Sequence, residues 1–291
     1  MPETTQPVEA NRFKTWEQAV QWLRGQPEQQ DLVLAAYYDD PLSVAADRYW
    51  RSEEWQAIRP LLPPAPGSRA LDVGAGRGIA SYALAKEGFA VTALEPDASA
   101  LVGAQAIRGL AATSGLPIEV TQEFSERLPF ANAQFDVVFA RAVLHHTKDL
   151  QAACREFLRV LKPGGCLLAV REHVISRAED LPAFLDLHPL HKLYGGENAF
   201  LLRQYEAAIR AAGFRLDTVL SPLESAINYA PYTAVSLRAE LAARITRGLP
   251  GAKQLVAGLL GLPPLWTVAR SLLERVDHRP GRLYSFVAVR P

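Results

Sequence analysis

Two carboxylates and a glycine turn stand at a spacing that suits a small charged ligand. Asp72 lies in a short apolar run, Ala70-Leu71-Asp72-Val73, that breaks into Gly74-Ala75-Gly76-Arg77-Gly78. Strand, glycine turn and helix is the geometry in which backbone N–H groups approach a ligand without interference from Cβ atoms. The dinucleotide fingerprint G-x-G-x-x-G is not met, because Ile79 takes the position of its third glycine. Asp72 would also repel a diphosphate, by roughly 1 kcal/mol at about 4 Å even in bulk water, whereas it favours a cation. Glu95 ends the next apolar run, Ala90–Leu94. An acid about 20 residues past such a turn is placed to accept from ribose hydroxyls. The pattern points to a cationic adenosine derivative.

A second group follows the run Phe135–Ala140: Arg141, Ala142, Leu144, His145 and His146. A neutral imidazole takes a proton near pH 7, so His145 is the candidate general base or acceptor-orienting residue. His146 reads as a turn histidine. Arg171, Glu172 and His173 follow a further strand, and His188, His191, Tyr194 and Glu197 surround Gly195-Gly196. The residues after the two strands are rim positions, because an open α/β sheet forms its crevice at the carboxyl ends of its strands, and the glycine-containing stretch reads as a loop able to fold over the site. No metal is expected from this pattern.

The elements that must position these groups alternate. Apolar runs at 70–73, 90–94, 118–122, 135–140, 166–170 and 214–220 read as strands, with helical stretches between most of them. Asp97 and Asp149 are expected N-caps, and Gly213 a helix stop. Trp16, Val20 and Leu23 recur at helical spacing, as do Trp55, Ile58 and Leu62 after Ser52. Tyr37-Tyr38 and Tyr49-Trp50 lie between them, either padding the next domain or closing over a ligand. Helical stretches around Leu237, Val256 and Trp266 break the rhythm before a last strand at 283–289. Residues 1–12 read as disordered.

The resulting division is a helical extension or lid at 1–66, a core at 67–220, a helical insert at 221–281 and a final core strand at 282–291. The insert is rich in leucine and reads as a substrate lid, a packing subdomain or an interfacial segment that meets a membrane or an apolar substrate.

Taken together, L-D-V-G-A-G-R-G at 71–78, Glu95, L-P-F at 128–130, F-D-V-V-F at 135–139, L-H-H at 144–146 and L-K-P-G-G at 161–165 resemble the class I S-adenosylmethionine-dependent methyltransferases. The likeness is greatest to the small-molecule branch that includes ubiquinone and menaquinone biosynthesis C-methyltransferases. It implies an α/β fold, a doubly wound, seven-stranded Rossmann-like sheet with helices on both faces, whose last strand is antiparallel and inserted beside the fifth. It also implies S-adenosyl-L-methionine as cofactor. Asp72, Gly74, Ala75, Gly76, Glu95, Pro96, Ser125, Glu126 and Arg141 would line its site, with Phe124 and Ser125 departing from the family's acidic residue and alanine before Leu128. The implied function is methyl transfer to a small organic acceptor (a secondary metabolite, quinone, lipid or sugar derivative) by metal-free in-line displacement. The alternatives are a non-methylating use of the cofactor, by cyclisation or aminobutyrate removal, and a non-catalytic cofactor-binding subunit.

Bulk properties agree. Thirty-one basic and 31 acidic residues leave a formal net charge of +0, which weighs against a nucleic-acid partner. Cys154 and Cys166 suit a reducing compartment rather than a disulfide framework. Neither a leader-like N-terminus nor a spanning apolar run is read, so a cytoplasmic protein is expected; a homo-oligomer is left open.

Overall fold

In the computed structural model, residues 13–247 and 251–291 are described; the expectation for 1–12 lies outside them. Four helices come first: α1 (Trp16–Arg24), α2 (Gln30–Ala35), α3 (Leu42–Arg51) and α4 (Glu53–Ile58). The Ser52 side chain accepts from the Trp55 N–H and starts α4. The alternating part follows as β1 (Arg69–Val73), α5 (Ile79–Lys86), β2 (Ala90–Leu94), α6 (Ala104–Ser114), β3 (Ile118–Thr121), β4 (Phe135–Arg141), α7 (Leu150–Val160) and β5 (Leu161–Ile175). Short helices α8 (Leu181–Leu187) and α9 (Pro189–Leu193) lead to β6 (Phe200–Leu201), α10 (Leu202–Ala212) and β7 (Arg215–Leu220). The chain ends with α11 (Ala226–Tyr229), α12 (Ala234–Ile245), α13 (Ala252–Leu260), α14 (Pro263–Val276) and β8 (Arg282–Val289).

The sheet runs β3-β2-β1-β4-β5-β8-β7, with the two-residue β6 paired to the far end of β5 as an eighth strand off that path. β1 to β5 are parallel, and β8 lies antiparallel between β5 and β7. Side chains alternate between faces. Leu71 and Val73 pack in the layer of α7 and α10, with Phe157, Tyr205 and Phe286. Ala70 packs in the other, with α3 to α5, where Tyr49, Trp55 and Phe139 are buried. Cys154 and Cys166 are unpaired and buried, and burial pushes both thiols up to about 12, which leaves neither as a nucleophile at neutral pH.

One local expectation fails. Asp97 does not cap a helix: its Oδ1 accepts from Ser99 N–H in a local turn, and its carbonyl accepts from Ala104 N–H, where α6 begins after Gly103. The short asparaginyl-type side chain of Asp satisfies a turn as readily as a helix start, so residue type alone does not distinguish them.

Among the described residues no single helix is long and apolar enough to cross a membrane; α13 and α14 pass together only as a pair bent by 97°. Both are largely exposed, with Leu255, Val268, Leu272 and Val276 facing outward.

Candidate active site

The glycine turn uses left-handed backbone at Gly74 (φ 60°) and Gly76 (φ 55°). A Cβ at Gly74 would lie 2.7 Å from Val143 Cγ2, so only glycine lets the turn settle on the segment after β4. A Cβ at Gly76 would meet nothing within 4 Å. That glycine faces open space, and its missing side chain leaves a cradle at the end of β1.

Two buried acids flank the cradle. Asp72 accepts from Ser81 Oγ at 2.5 Å, and Glu95 accepts from the N–H groups of Gly76 (2.7 Å) and Asp97 (2.9 Å). Burial pushes Asp72 up to about 7 against the Ser81 hydrogen bond, and the Glu95 charge adds to the rise. Burial likewise lifts Glu95 to about 7, against its two backbone hydrogen bonds. Neither makes a salt bridge among the described residues. Buried carboxylates are normally paired. A ligand bringing positive charge beside Asp72 and hydroxyls beside Glu95 would satisfy both, and each Glu95 oxygen keeps a lone pair to accept with. The residues present therefore fit S-adenosylmethionine.

The remaining expected cofactor residues are placed differently. Ala75 is buried, its N–H bonded to Leu94 O, and Pro96 is exposed beside Glu95. Ser125 Oγ donates to Glu126 Oε2, while Glu126 Oε1 accepts from Lys148 N–H, and Phe124 is 63% exposed. Arg141 turns away from the glycines. Its guanidinium makes a two-pronged pair with Glu54 of α4 (2.7 and 3.0 Å) and lies 5.3 Å from the Tyr49 ring centre and 5.8 Å from that of Tyr37. The cation those tyrosines face is thus the protein's own.

The turn after β4 is organised by one carboxylate that sequence reading had placed only at the rim. Glu172, fully buried, accepts from the N–H groups of Val143, Leu144 and His145 and contacts His145 Nδ1 at 2.7 Å. β5 irregularly pairs β8 between Ala169 and Glu172, and Arg171 there has φ 62°. Such a bulge re-aims the following side chain. Ala142, across from it, has φ 58° and donates its N–H to Val170 O. Strained backbone at neighbouring strand ends is where functional sites concentrate.

His145 is thereby held with Nδ1 on Glu172 and Nε2 toward Glu197, 3.6 Å away. Burial disfavours its charged form, but Glu172 and Glu197 outweigh that and hold it up at about 9. It therefore carries a proton at neutral pH in the free protein. His173 is the opposite case, pushed down to about 3 by burial and by the His145 charge. His146 contacts Gly196 O through Nδ1 at 3.0 Å.

The N-terminal segment is tied to the glycine turn and to the chain beyond β2 and α9. Arg77, within the glycine turn, donates to Tyr37 O (2.8 Å), Asp39 O (2.9 Å) and Asp40 Oδ1 (2.6 Å). Glu17 of α1 accepts from Leu101 N–H beyond β2, and Phe13 N–H donates to Leu193 O of α9. Trp16 meets Tyr194 edge-on at 5.7 Å. Sequence spacing carries no sign of these ties, because they join residues from remote parts of the chain.

Comparison with known proteins agrees with this geometry. A methyltransferase domain family model matches residues 71–169. The chain is 30% identical over 196 residues to an O-methyltransferase, resE, of Aspergillus sclerotiorum, covering 63% of this chain and 69% of that one. It is 36% identical over 137 residues to a demethylmenaquinone methyltransferase of Mycolicibacterium paratuberculosis, covering 47% of this chain and about half, 54%, of the relative. Its fold is similar to the [4+2]-cyclase SpnF (TM-score 0.54, 22% identity, 85% of this chain and 82% of that one). It is also similar to an S-adenosylmethionine-dependent methyltransferase from Mesorhizobium loti (TM-score 0.51, 17% identity, 83% and 100%). The chain belongs to the class I S-adenosylmethionine-dependent methyltransferases, and S-adenosylmethionine is its cofactor.

Proposed function

We propose that this chain moves a methyl group from S-adenosylmethionine to a small organic acceptor, such as a secondary metabolite, quinone, lipid or sugar derivative. The observation that supports the small-molecule reading is that Arg77 ties the N-terminal segment onto the glycine turn itself, which sets folded chain where a polymer would need open access. When bound, the cofactor supplies a methyl group made electrophilic by its sulfonium.

The chain's own residues then have four tasks. Asp72 balances the cofactor's positive charge, and Glu95 accepts from its ribose hydroxyls. Backbone at Gly74, Ala75 and Gly76, with Pro96 beside them, bounds the methionine and ribose side. Ser125 and Glu126 edge the base, and Arg141 closes the site by holding α4 through Glu54. His145, fixed by Glu172, orients the acceptor and exchanges its proton with it, which is the positioning work a displacement needs. The exposed apolar side of α13 and α14 offers a lipid-like acceptor or a membrane surface a place to rest.

The test is release of S-adenosylhomocysteine against an acceptor panel, with methylthioadenosine followed in the same samples. Acceptor-dependent S-adenosylhomocysteine supports the reading. Methylthioadenosine formed without any acceptor overturns it.

A further inference from the structure

Glu197 is a buried carboxylate of the crevice ringed by histidines. Its side chain is 6% exposed, yet the nearest basic groups stand off: His145 Nε2 at 3.6 Å and His146 Nε2 at 3.8 Å from Oε2, and His188 Nδ1 at 3.8 Å from Oε1. None of these three approaches is shorter than 3.6 Å. The coordinating atoms of His145, His173 and Glu197 all lie within 4.8 Å of one another. These separations are too long for hydrogen bonds and suit groups gathered around one common point. For bonds of about 2.1 Å to a tetrahedral ion, ligand atoms lie about 3.4 Å apart, close to the His145–Glu197 spacing.

The second observation is independent of those distances. Both histidines of the group have Nδ1 occupied from behind: His145 by Glu172 Oε2 at 2.7 Å and His173 by Gly281 O at 3.1 Å. An imidazole that donates Nδ1–H to a carboxylate or carbonyl presents Nε2 as a lone pair in a fixed direction. That arrangement is how metal-binding histidines are oriented and made more basic. The two rings and the carboxylate come from three separate places, the turn after β4, the end of β5 and the segment after α9, so no local motif accounts for their meeting.

We propose that His145, His173 and Glu197 bind a divalent transition-metal ion of the zinc class. Two imidazoles and one carboxylate favour such an ion over magnesium or calcium, which seek oxygen donors. Three protein ligands leave a coordination position open, as in sites that hold a small molecule rather than brace a fold. Resting on the proposed function, that position would face the acceptor and select one with a hydroxyl, phenolate or carbonyl oxygen to coordinate. The ion takes the His145 lone pair, so His145 then acts as a ligand and the ion does the orienting.

The test uses the full chain, free of any affinity tag and stripped with chelator, titrated with Co²⁺ as a coloured substitute for Zn²⁺. One equivalent should bind with visible absorption bands of low-coordinate cobalt, bleached by added Zn²⁺. Glu197→Gln and His173→Gln should each weaken Co²⁺ binding at least about tenfold. S-adenosylhomocysteine affinity, measured by calorimetry on the same samples, should stay unchanged. Wild-type protein that binds no Co²⁺ overturns the proposal, whatever the variants do. So does Co²⁺ binding that both folded variants retain in full. Loss of S-adenosylhomocysteine binding in wild type would instead overturn the cofactor assignment and leave the metal result standing.

Discussion

His145 Nδ1 lies 2.7 Å from Glu172 Oε2, and the same carboxylate accepts the N–H groups of Val143, Leu144 and His145. One side chain from β5 thus shapes the whole turn after β4 and aims its histidine. Glu172→Ala leaves three buried backbone donors and the His145 ring N–H without an acceptor. Since each unsatisfied buried group costs about 1–3 kcal/mol, the variant should lose roughly 3–5 kcal/mol in urea unfolding. Glu172→Gln, which keeps an acceptor oxygen, should lose less. Equal stability of the Ala variant and wild type would remove Glu172 from this role.

Gly74 and Gly76 share a left-handed backbone but should fail differently when replaced by alanine. Both pay the conformational cost of about 1–2 kcal/mol. Gly74→Ala also drives a methyl group into Val143, so it should be the less stable protein by thermal melting. Gly76→Ala meets no protein atom and should instead lose cofactor affinity out of proportion to its stability. Calorimetry with S-adenosylhomocysteine on both variants checks the contrast.

Glu95→Ala should weaken S-adenosylhomocysteine binding by at least about tenfold, the worth of one charge-assisted hydrogen bond or more. Unchanged affinity would overturn the ribose assignment.

Asp72 and Glu95 set a pH dependence with a definite sign. Both folded-state values, about 7, lie above the ordinary carboxylate range because burial penalises the charge. The folded protein therefore holds these protons more tightly than the unfolded chain does. Their contribution to stability is complete below about pH 4 and is lost as pH rises through 7. A cationic ligand reverses the preference by favouring ionised Asp72, so S-adenosylmethionine should bind more tightly at pH 8 than at pH 6 and release protons as it binds. Calorimetry in buffers of different ionisation enthalpy measures that release; proton uptake would contradict the assignment.

Glu54 is buried beside two guanidiniums, paired with Arg141 and 3.8 Å from Arg171. Removing it strands two buried cations, so Glu54→Ala should cost about 3–5 kcal/mol by chemical denaturation. A loss under 1 kcal/mol would show that water reaches this cluster.

The sequence determined most of the strands, the glycine turn, Asp72 and Glu95, because each is governed by local rules: short, near-continuous apolar runs, the freedom of glycine at positive φ, and a carboxylate at a strand end. Those features suffice for the α/β fold and for a cationic adenosine-type ligand. It also placed His145, Glu172 and His173 at the rim and Glu197 in a loop able to fold over it, but as separate candidates. Only the tertiary structure decided that they converge, that Arg141 is spent on Glu54, and that Arg77 fastens the N-terminal helices over the turn. Spacing along a chain fixes which face of a strand or helix a side chain takes. Which remote partner it meets there depends on the bulge at Arg171, the antiparallel entry of β8 and the path of the segment after α9, and no local pattern encodes those.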